Sequence, residues 1–457
     1  MRSLSTNGLL ISIFVITCHT GCATAQSVPR YVVCMGEKDD KTCGAINELG
    51  EVKVAFQKWS KRAISHFDNG LSRTIIDGKE GLIDTDATVV IPPNYSQLST
   101  PSEGLIVFRQ SEGGKCGFLE LDETVAIEPS WDGCFAFRFG RAKVYNVAGE
   151  GDRLFGFLNS EGDLAIDLVF EVASSFFESR ALVKLSPNAG PELIEKLGSK
   201  LGYVDRDGNP VTKFEFDKAD QFSNGMAMVA RKVGEHAYDD EYSQGVEDIF
   251  AYGFINLEGE LVWPMEFRWA EDFNEAGFAK VDICDEDDEC KAGIIDKDGG
   301  WKFRPETYEY IASFSEGLAF VETHEGWKGY VDEHGEKVFE ASNGTPFVNG
   351  VADVKFWFDD ELDACGSSGL VDTKGEYIFP FRVVGAFTVD RSFDENQIMV
   401  ADIFAKGTDY HEIVLHRERG VIWPPGWNEP GAGEGVLCWP ELEAKKKGAS
   451  PSELEGE

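Results

Sequence analysis

One short phrase recurs along almost the whole sequence and limits the folds that the chain can adopt. It consists of a glycine, two aromatic or aliphatic residues, an aspartate or asparagine, two variable residues and, in most copies, a second glycine. Nine copies, spaced 36 to 51 residues apart, begin at Gly44, Gly81, Gly117, Gly156, Gly202, Gly253, Gly293, Gly329 and Gly369. A degenerate tenth copy lies at residues 413–424. A period of this length indicates a repeat architecture rather than independent domains.

The copy at residues 314–339 illustrates how one unit is built. Gly329-Tyr-Val-Asp332 is a run of strand-forming residues, and Asp332-Glu-His-Gly335 has the residues of a tight turn, because aspartate bonds its own backbone and glycine accepts a positive φ. Upstream, Phe314-Ser-Glu-Gly-Leu-Ala-Phe-Val321 predicts another turn and strand. One unit should therefore hold about three short antiparallel strands, which need stacked copies to share a core.

The predicted fold is all-β, a tandem array of nine or ten three-stranded antiparallel β-meander repeats. An open, twisted, solenoid-like stack is preferred, and a propeller-like closure is the alternative. Propeller blades have four strands and typically number about four to eight. The sequence indicates fewer strands per unit and more units than that, which is the reason for preferring the open stack.

The two repeated phrases resemble the units of the WG-repeat family, which contain Trp-Gly-Tyr-Ile-Asp and Phe-x-Glu-Gly-Leu-Ala. The similarity covers about residues 44–425 and is closest in phrases such as Gly329-Tyr-Val-Asp and Glu316-Gly-Leu-Ala. The tryptophan itself is replaced, since the residues before the repeat glycines include Cys43, Phe155 and Lys328 but no Trp. The resemblance implies a repeat scaffold and supplies no catalytic motif.

Both ends of the chain differ from the repeat array. Residues 1–25 have the features of an export signal, with Arg2 followed by an apolar run too short to span a bilayer. Two interpretations compete: a bacterial lipoprotein signal ending at Cys22, which would carry the lipid, or simple cleavage after Ala23-Thr-Ala25. We expect a lead-in at 26–43, the array at 44–425, a C-terminal cap at 426–440 and a disordered tail at 441–457.

The signal predicts an exported protein, either an outer-membrane lipoprotein facing the periplasm or cell surface, or a secreted or periplasmic soluble protein. Cysteine usage agrees, because eight of the ten cysteines lie beyond the signal, an even number as disulfides require. The favoured pairs are neighbours in sequence: Cys284 with Cys290, Cys34 with Cys43, and Cys116 with Cys134, which leaves Cys365 and Cys438. No Cys-x-x-Cys is present, which argues against a zinc ribbon.

The formal net charge of −38 disfavours nucleic acids and anionic membranes as partners, so membrane contact is expected only through a lipid anchor. Some of the acid keeps an edge-rich β protein soluble. Other acidic residues gather in insertions between the Ala-x-Val strand and the next Gly-Tyr strand. Equivalent loops of a stacked array lie along one rim. We call eight of these residues the acidic rim: Asp239, Asp240, Glu241, Asp285, Asp287, Asp288, Asp359 and Asp360.

No arrangement of residues predicts chemistry. His411 and His416 resemble a zinc-protease pair, but they are five apart where that helix needs four, and a strand would place them on opposite faces. The acidic segment 285–289 has carboxylates that suit Ca²⁺, yet it lacks the spacing and central glycine of a dedicated loop. We therefore expect no enzyme activity, no metal site and no cofactor, with Ca²⁺ binding only a secondary option.

The sequence predicts a non-enzymatic, exported scaffold of the bacterial cell envelope that binds a protein or glycan partner along the acidic rim. A spacer without a specific ligand and a carboxylate-based hydrolase are the alternatives. An aromatic patch on the rim would favour binding. The tryptophans are interpreted as inter-repeat core rather than as a sugar-stacking platform, namely Trp59, Trp131, Trp263, Trp269, Trp301, Trp357 and Trp423.

Overall fold

A computed structural model describes most of the repeat array. The described residues are 31–35, 42–47, 49–57, 67–149, 151–239, 244–285, 289–356, 367–380, 398–403, 411–416 and 420–423. The predicted signal with Cys22, the cap at 426–440 and the tail at 441–457 lie outside these ranges, as do Cys365 and Cys438.

Within these ranges the strands pair into nine antiparallel sheets. Three sheets have three strands each: β1 (Tyr31–Met35), β2 (Thr42–Ile46) and β3 (Val52–Gln57); β4 (Leu71–Ile76), β5 (Lys79–Asp84) and β6 (Val89–Tyr95); and β33 (Ile398–Ile403), β34 (His411–His416) and β35 (Gly420–Trp423). A six-stranded sheet joins two consecutive units: β11 (Gly133–Arg138), β12 (Arg141–Ala148), β13 (Asp152–Leu158), β14 (Leu164–Ala173), β15 (Arg180–Leu185) and β16 (Leu201–Asp205).

The other five sheets have four strands, which follow one another in sequence order. They are β7 (Gln97–Leu98), β8 (Ile106–Arg109), β9 (Cys116–Leu119) and β10 (Val125–Trp131); β17 (Lys218–Ala219), β18 (Met226–Asp239), β19 (Gln244–Asn256) and β20 (Leu261–Phe267); β21 (Trp269–Ala270), β22 (Phe278–Cys284), β23 (Cys290–Asp296) and β24 (Trp301–Phe303); β25 (Tyr310–Ile311), β26 (Leu318–Glu322), β27 (Lys328–Asp332) and β28 (Lys337–Glu340); and β29 (Asn343–Gly344), β30 (Ala352–Phe356), β31 (Ser367–Val371) and β32 (Tyr377–Pro380). Helix α1 (Pro191–Leu197) begins at a proline and is followed by Gly198, as expected of helix ends.

The four-stranded unit has one strand more than the sequence predicts. In β21, Trp269 and Ala270 pair with Asp282 and Val281 of β22, ahead of the three predicted strands. Two residues are too few to display the alternation that identifies a strand, so this element leaves no periodic signal. Four strands per unit is also the number in a propeller blade, which removes one reason for preferring an open stack.

The first and last described sheets are neighbours. Between consecutive sheets, the first strand of one lies beside the next-to-last strand of the sheet before it, as β21 lies beside β19 and β25 beside β23. Strand β1, which pairs with the Gly44 strand β2, lies beside β34 of the last described sheet. The predicted tandem β array is confirmed, and this contact favours the propeller-like closure that the sequence leaves as the alternative to an open stack.

The hydrophobic core lies between the sheets. Ala319, Val321 and Val331 of one sheet pack against Ile294 and Phe303 of the sheet before it. The alternating side chains of the same strands contact the sheet that follows, because successive residues of a strand point to opposite faces. Each such unit shares both of its faces with neighbours, which is why the phrase must be repeated for the chain to fold.

The glycine that opens each repeat is required by close approach of two strands. A Cβ atom at Gly253 would lie 2.6 Å from the carbonyl oxygen of Trp263, and one at Gly81 would lie 2.5 Å from that of Ile91. The pairing register shifts beside these glycines, so the following strand bulges toward them. Because a side chain there would collide with backbone, the glycine is fixed while the residue before it varies.

Candidate functional site

The antiparallel connections give the array two unlike faces. In a four-stranded unit, the turn from the first to the second strand and the turn from the third to the fourth leave on one side, which we call the turn face. The connections from the second to the third strand, and from one sheet to the next, leave on the other side, which we call the loop face. The described members of the acidic rim, Asp239 and Asp285, belong to the loop face.

On the turn face, the repeated aspartate or asparagine stabilises its own turn. Asp332 Oδ1 accepts hydrogen bonds from the amides of His334 (2.8 Å) and Glu336 (2.9 Å). The same pair of bonds forms at Asn47, Asp84, Asp205, Asn256, Asp296 and Asp372. The amide hydrogen bond from Glu336 lowers the pKa of Asp332. These acids therefore have a structural role.

A second set of turn-face hydrogen bonds joins successive sheets at three places. Glu316 has a positive φ of 51°, and its carboxylate accepts a hydrogen bond of 2.6 Å from the amide of Gly350 in the following sheet. Equivalent bonds run from Gly225 to Glu178 and from Gly140 to Glu103. A bond to an ionised acceptor offsets the cost of a left-handed backbone at glutamate. The Phe-x-Glu-Gly phrase thus encodes a contact between repeats.

Two of the acidic-rim residues belong to the described part of the chain. Asp239 is the last residue of β18, opposite Gln244, and Asp285 directly follows β22. Both lie on the loop face. The remaining members lie outside the described residues, namely Asp240, Glu241, Asp287, Asp288, Asp359 and Asp360. A binding role for the rim stays a prediction.

Two of the predicted disulfides are present. Cys284 and Cys290 face each other at the ends of β22 and β23 and close the connection that contains Asp285. The disulfide between Cys116 and Cys134 joins β9 to β11 of the next sheet, with a Cα–Cα distance of 6.0 Å. The backbone register places Cys34 opposite Cys43, whose pairing stays a prediction.

Exposed aromatic side chains lie at the base of the rim loops. Trp269 is 42% exposed and Tyr310 is 47% exposed, and they occupy the same position, the first residue of β21 and of β25, in adjacent sheets. The ammonium of Lys280 lies between them, 5.6 Å from the centre of the Trp269 ring and 5.5 Å from that of Tyr310, within cation–π range. The predicted core position is correct for Trp263, which is 5% exposed, and wrong for Trp269.

Carboxylates flank these rings. Asp282 is opposite Trp269 in the strand register, and burial raises its pKa, which Lys280 only partly offsets. Glu322 is opposite Tyr310 and pairs with Lys328 at 2.8 Å. The positions of Trp269 and Tyr310 therefore present flat apolar rings beside fixed hydrogen-bonding groups.

The preceding sheet carries a cavity around the equivalent position. Its volume is about 320 Å³, and its lining includes Leu201, Asp217, Lys218, Asp220, Met228 and Tyr252. Lys218 is the first residue of β17, as Trp269 is of β21. Its ammonium lies 3.8 Å from the centre of the Phe250 ring and donates a hydrogen bond of 3.2 Å to the Tyr252 hydroxyl. We call Lys218, Trp269 and Tyr310 the aromatic row, together with the rings that contact Lys218.

Acids at the base of the β18–β19 hairpin already have partners. Lys232 contacts Glu235 at 2.5 Å and Asp248 at 2.7 Å. Asp217 pairs with Lys200 at 2.5 Å and accepts a hydrogen bond of 3.0 Å from the Lys232 amide. The formal charge of the chain therefore overstates the free negative charge at this part of the loop face.

Sequence reasoning located the rim loops but missed the aromatic row. One signal was available, because Lys218, Trp269 and Tyr310 each stand four residues before a buried phenylalanine of the turn phrase. Those phenylalanines are Phe222, Phe273 and Phe314. A constant offset from a repeated landmark marks equivalent positions even where the residue type changes.

Among the described residues, no three His, Cys, Asp or Glu side chains are grouped to hold a metal ion. His411 and His416 lie in strand β34, the predicted element. No helix in the described part of the chain is both long and apolar enough to cross a bilayer.

Comparison with known proteins agrees with the repeat geometry. The family model described as WG containing repeat matches residues 81–116, 155–186, 202–231, 252–283 and 293–327. The chain belongs to the WG containing repeat family. Each matched segment of this WG-repeat protein contains a Gly-Tyr-type strand and its turn, the elements whose hydrogen bonds are described above. No curated protein shows a significant match to the sequence.

Two solved structures have a similar arrangement of chain at low similarity. A crystal structure of a eukaryotic initiation factor has 10% identity and a TM-score of 0.44, covering 78% of this chain and 95% of that chain. AztD of Citrobacter koseri has 12% identity and a TM-score of 0.27, with the same coverage of 78% and 95%. Both TM-scores are below 0.5, so neither likeness carries information about function.

Proposed function

We propose that this WG-repeat protein is a non-enzymatic, exported scaffold of the bacterial cell envelope that binds a protein or glycan partner on its loop face. The observation that carries the proposal is the aromatic row at the base of the rim loops, above all the exposed rings of Trp269 and Tyr310. Aromatic side chains contribute large contact areas and specific geometry to recognition. Their position on the face with variable loops, on a rigid array, is typical of a binding surface.

The two disulfides support the exported part of the proposal, because such bonds persist in oxidising compartments and are rare in the cytosol. Lipidation of Cys22 would anchor the scaffold to a membrane. Mass spectrometry of the N-terminal peptide tests this part by itself, since an acylated peptide starting at Cys22 supports the anchor. A peptide starting at Gln26 would instead favour a freely secreted scaffold.

Retention on isolated cell envelopes tests the binding function. The full chain is mixed with envelopes, sedimented, and compared with the double variant Trp269→Ala/Tyr310→Ala. Removal of central aromatic contacts costs about 2 kcal/mol or more, so we expect an affinity at least about tenfold lower.

A matched control is available on the opposite face. Phe139 is an aromatic residue of a turn-face turn and is 43% exposed. The variant Phe139→Ala should bind envelopes as the unchanged protein does. Equal retention of the double variant, the control and the unchanged protein would contradict a binding site at the aromatic row, and so would failure of the unchanged protein to bind.

A further inference from the structure

We propose that the loop face binds an uncharged oligosaccharide, with one sugar unit in the cavity beside β17 and further units along the aromatic row. This inference rests on the proposed binding function and names its ligand class. The cavity volume of about 320 Å³ falls at the lower end of the range of small-molecule sites, about 300–1,000 Å³. It therefore suits a compact unit rather than a folded partner.

The cavity lining matches the two-sided chemistry of a sugar ring. Leu201, Met228 and the ring of Tyr252 offer apolar surface to the C–H face of a sugar. Asp217, Lys218 and Asp220 offer acceptors and donors to hydroxyl groups. Lys218 is held by Tyr252 and Phe250, and Asp217 by Lys200, so these groups are positioned before a ligand arrives.

Charge argues for a neutral ligand. An anionic glycan or peptide would be repelled by a chain whose formal net charge is −38. A cationic ligand would be repelled by the ammonium of Lys218, which lines the cavity. It would also be repelled by the ammonium of Lys200, which pairs with the lining residue Asp217 at the edge of the cavity. Hydroxyl groups form hydrogen bonds with paired acids and lysines without breaking the ion pairs. A neutral ligand with many hydroxyl groups therefore avoids both the repulsion by the net negative charge and the repulsion by the lysines.

The neighbouring sheets extend the site beyond a single unit. Trp269 and Tyr310 stand at the position of Lys218 in the next two sheets, with exposed rings on the same face. Asp282 and Glu322 lie opposite them in the register and supply acceptors. Equivalent positions in successive sheets repeat at a regular step, which is the arrangement that a linear chain of sugar units requires.

The experiment is a titration of the full chain with neutral hexasaccharides. The probes are the hexamers of glucose in its α-1,4 and β-1,4 linkages, of N-acetylglucosamine and of mannose, followed by calorimetry and by tryptophan fluorescence. We expect at least one hexamer to bind and to change the fluorescence, since Trp269 is exposed. Tyr252→Ala and Trp269→Ala should each weaken that binding at least about tenfold, while Phe139→Ala should not.

Envelope retention, measured on the same samples, separates this inference from the proposed function. If no hexamer binds but envelopes still retain the chain through Trp269 and Tyr310, the ligand is of another class, such as a protein, and the inference is overturned while the binding function stands. If a hexamer binds and neither Tyr252→Ala nor Trp269→Ala weakens it, the assigned site is wrong. If the unchanged chain binds neither hexamers nor envelopes, both proposals fail.

Discussion

The turn face and the loop face use the same residue types for different purposes. On the turn face, Asp332 accepts two amide hydrogen bonds within its turn, and Glu316 accepts one from the next sheet. On the loop face, Asp282 lies half-buried beside an exposed tryptophan, and burial raises its pKa. The acids of the turn face hold the array together, whereas Asp282 on the loop face is held half-buried at some cost in stability.

The comparison also explains where the repeats vary. Every turn-face connection must meet the same neighbours, so its chemistry is repeated from unit to unit. The loop face has no such requirement, and its connections include helix α1, a hairpin of two long strands and a disulfide-closed tip. Variation within the repeat is therefore a guide to the side of the molecule that recognises partners.

The largest expected difference in the free energy of unfolding is between two aromatic residues four positions apart, one buried behind the turn phrase and one exposed on the loop face. Phe314 is 2% exposed and contacts the rings of Phe278 and Phe303, so Phe314→Ala should lower the free energy of unfolding by about 3–5 kcal/mol. Tyr310→Ala, on the loop face, should change it by no more than about 0.5 kcal/mol. Urea unfolding followed by circular dichroism measures both. Similar losses for the two variants would abolish the distinction.

The two disulfides should differ in their contribution to stability. Cys116 and Cys134 are 18 residues apart and connect successive sheets, so replacing both by serine should cost about 3 kcal/mol. Cys284 and Cys290 are 6 residues apart within one hairpin, and the same replacement should cost about 2 kcal/mol. Thermal unfolding of the two double variants tests the order. A greater loss at the hairpin would contradict the expected dependence of disulfide stabilisation on the length of the closed loop.

A single turn-face side chain should have a smaller effect. Asn256 Oδ1 accepts hydrogen bonds from the amides of Glu258 (3.1 Å) and Glu260 (2.9 Å). Asn256→Ala removes this acceptor and should cost about 1 kcal/mol in urea unfolding. Asn256→Asp keeps the acceptor oxygen but exchanges the exposed Nδ2 hydrogen bond to Glu260 Oε2 (3.0 Å) for a like-charge contact, so this control should show a smaller loss at pH 7. Equal losses in both variants would mean that the hydrogen bonds are not the cause.

The smallest expected effects on stability come from two single carboxyl groups, one on each face, and they should have opposite signs. The pKa of Asp332 is lowered by the amide hydrogen bond from Glu336, so its contribution is present at neutral pH and is lost as the pH falls through that lowered pKa. The pKa of Asp282 is raised by burial, so its ionised form reduces stability at neutral pH, and protonation on acidification relieves this.

Urea midpoints of two variants at pH 7 and at about pH 3 would measure this contrast. Asp332→Asn should lower the midpoint at pH 7, and Asp282→Asn should raise it there by less than about 1 kcal/mol in free energy. Both differences should shrink at the acidic pH, because the raised pKa of Asp282 leaves its carboxyl group largely protonated there, and the contribution of Asp332 declines as the pH approaches its lowered pKa. Shifts in the same direction at pH 7 would refute the assignment of the two acids to different roles.

The sequence predicts the repeated parts of this fold better than its site, for a physical reason. Gly253 is fixed by backbone approach and Asn256 by its own turn, and both causes act within one unit, so repetition reveals them. Trp263 and Trp269 are the same residue type, but Trp263 lies in the seven-residue strand β20, whereas Trp269 begins the two-residue strand β21, which has no sequence period. The choice between an open stack and a closed ring depends on the rotation between sheets, which no single unit encodes.

The contact between β1 and β34 has a consequence for how such a chain can change in length. In an open stack, a duplicated unit adds to one end and disturbs only its nearest neighbours. In a ring, each added unit changes the angle available to all the others, and the first and last sheets lose their match. Repeat number is then a property that the whole molecule must accommodate, and growth by single duplications is penalised even when every unit remains well formed.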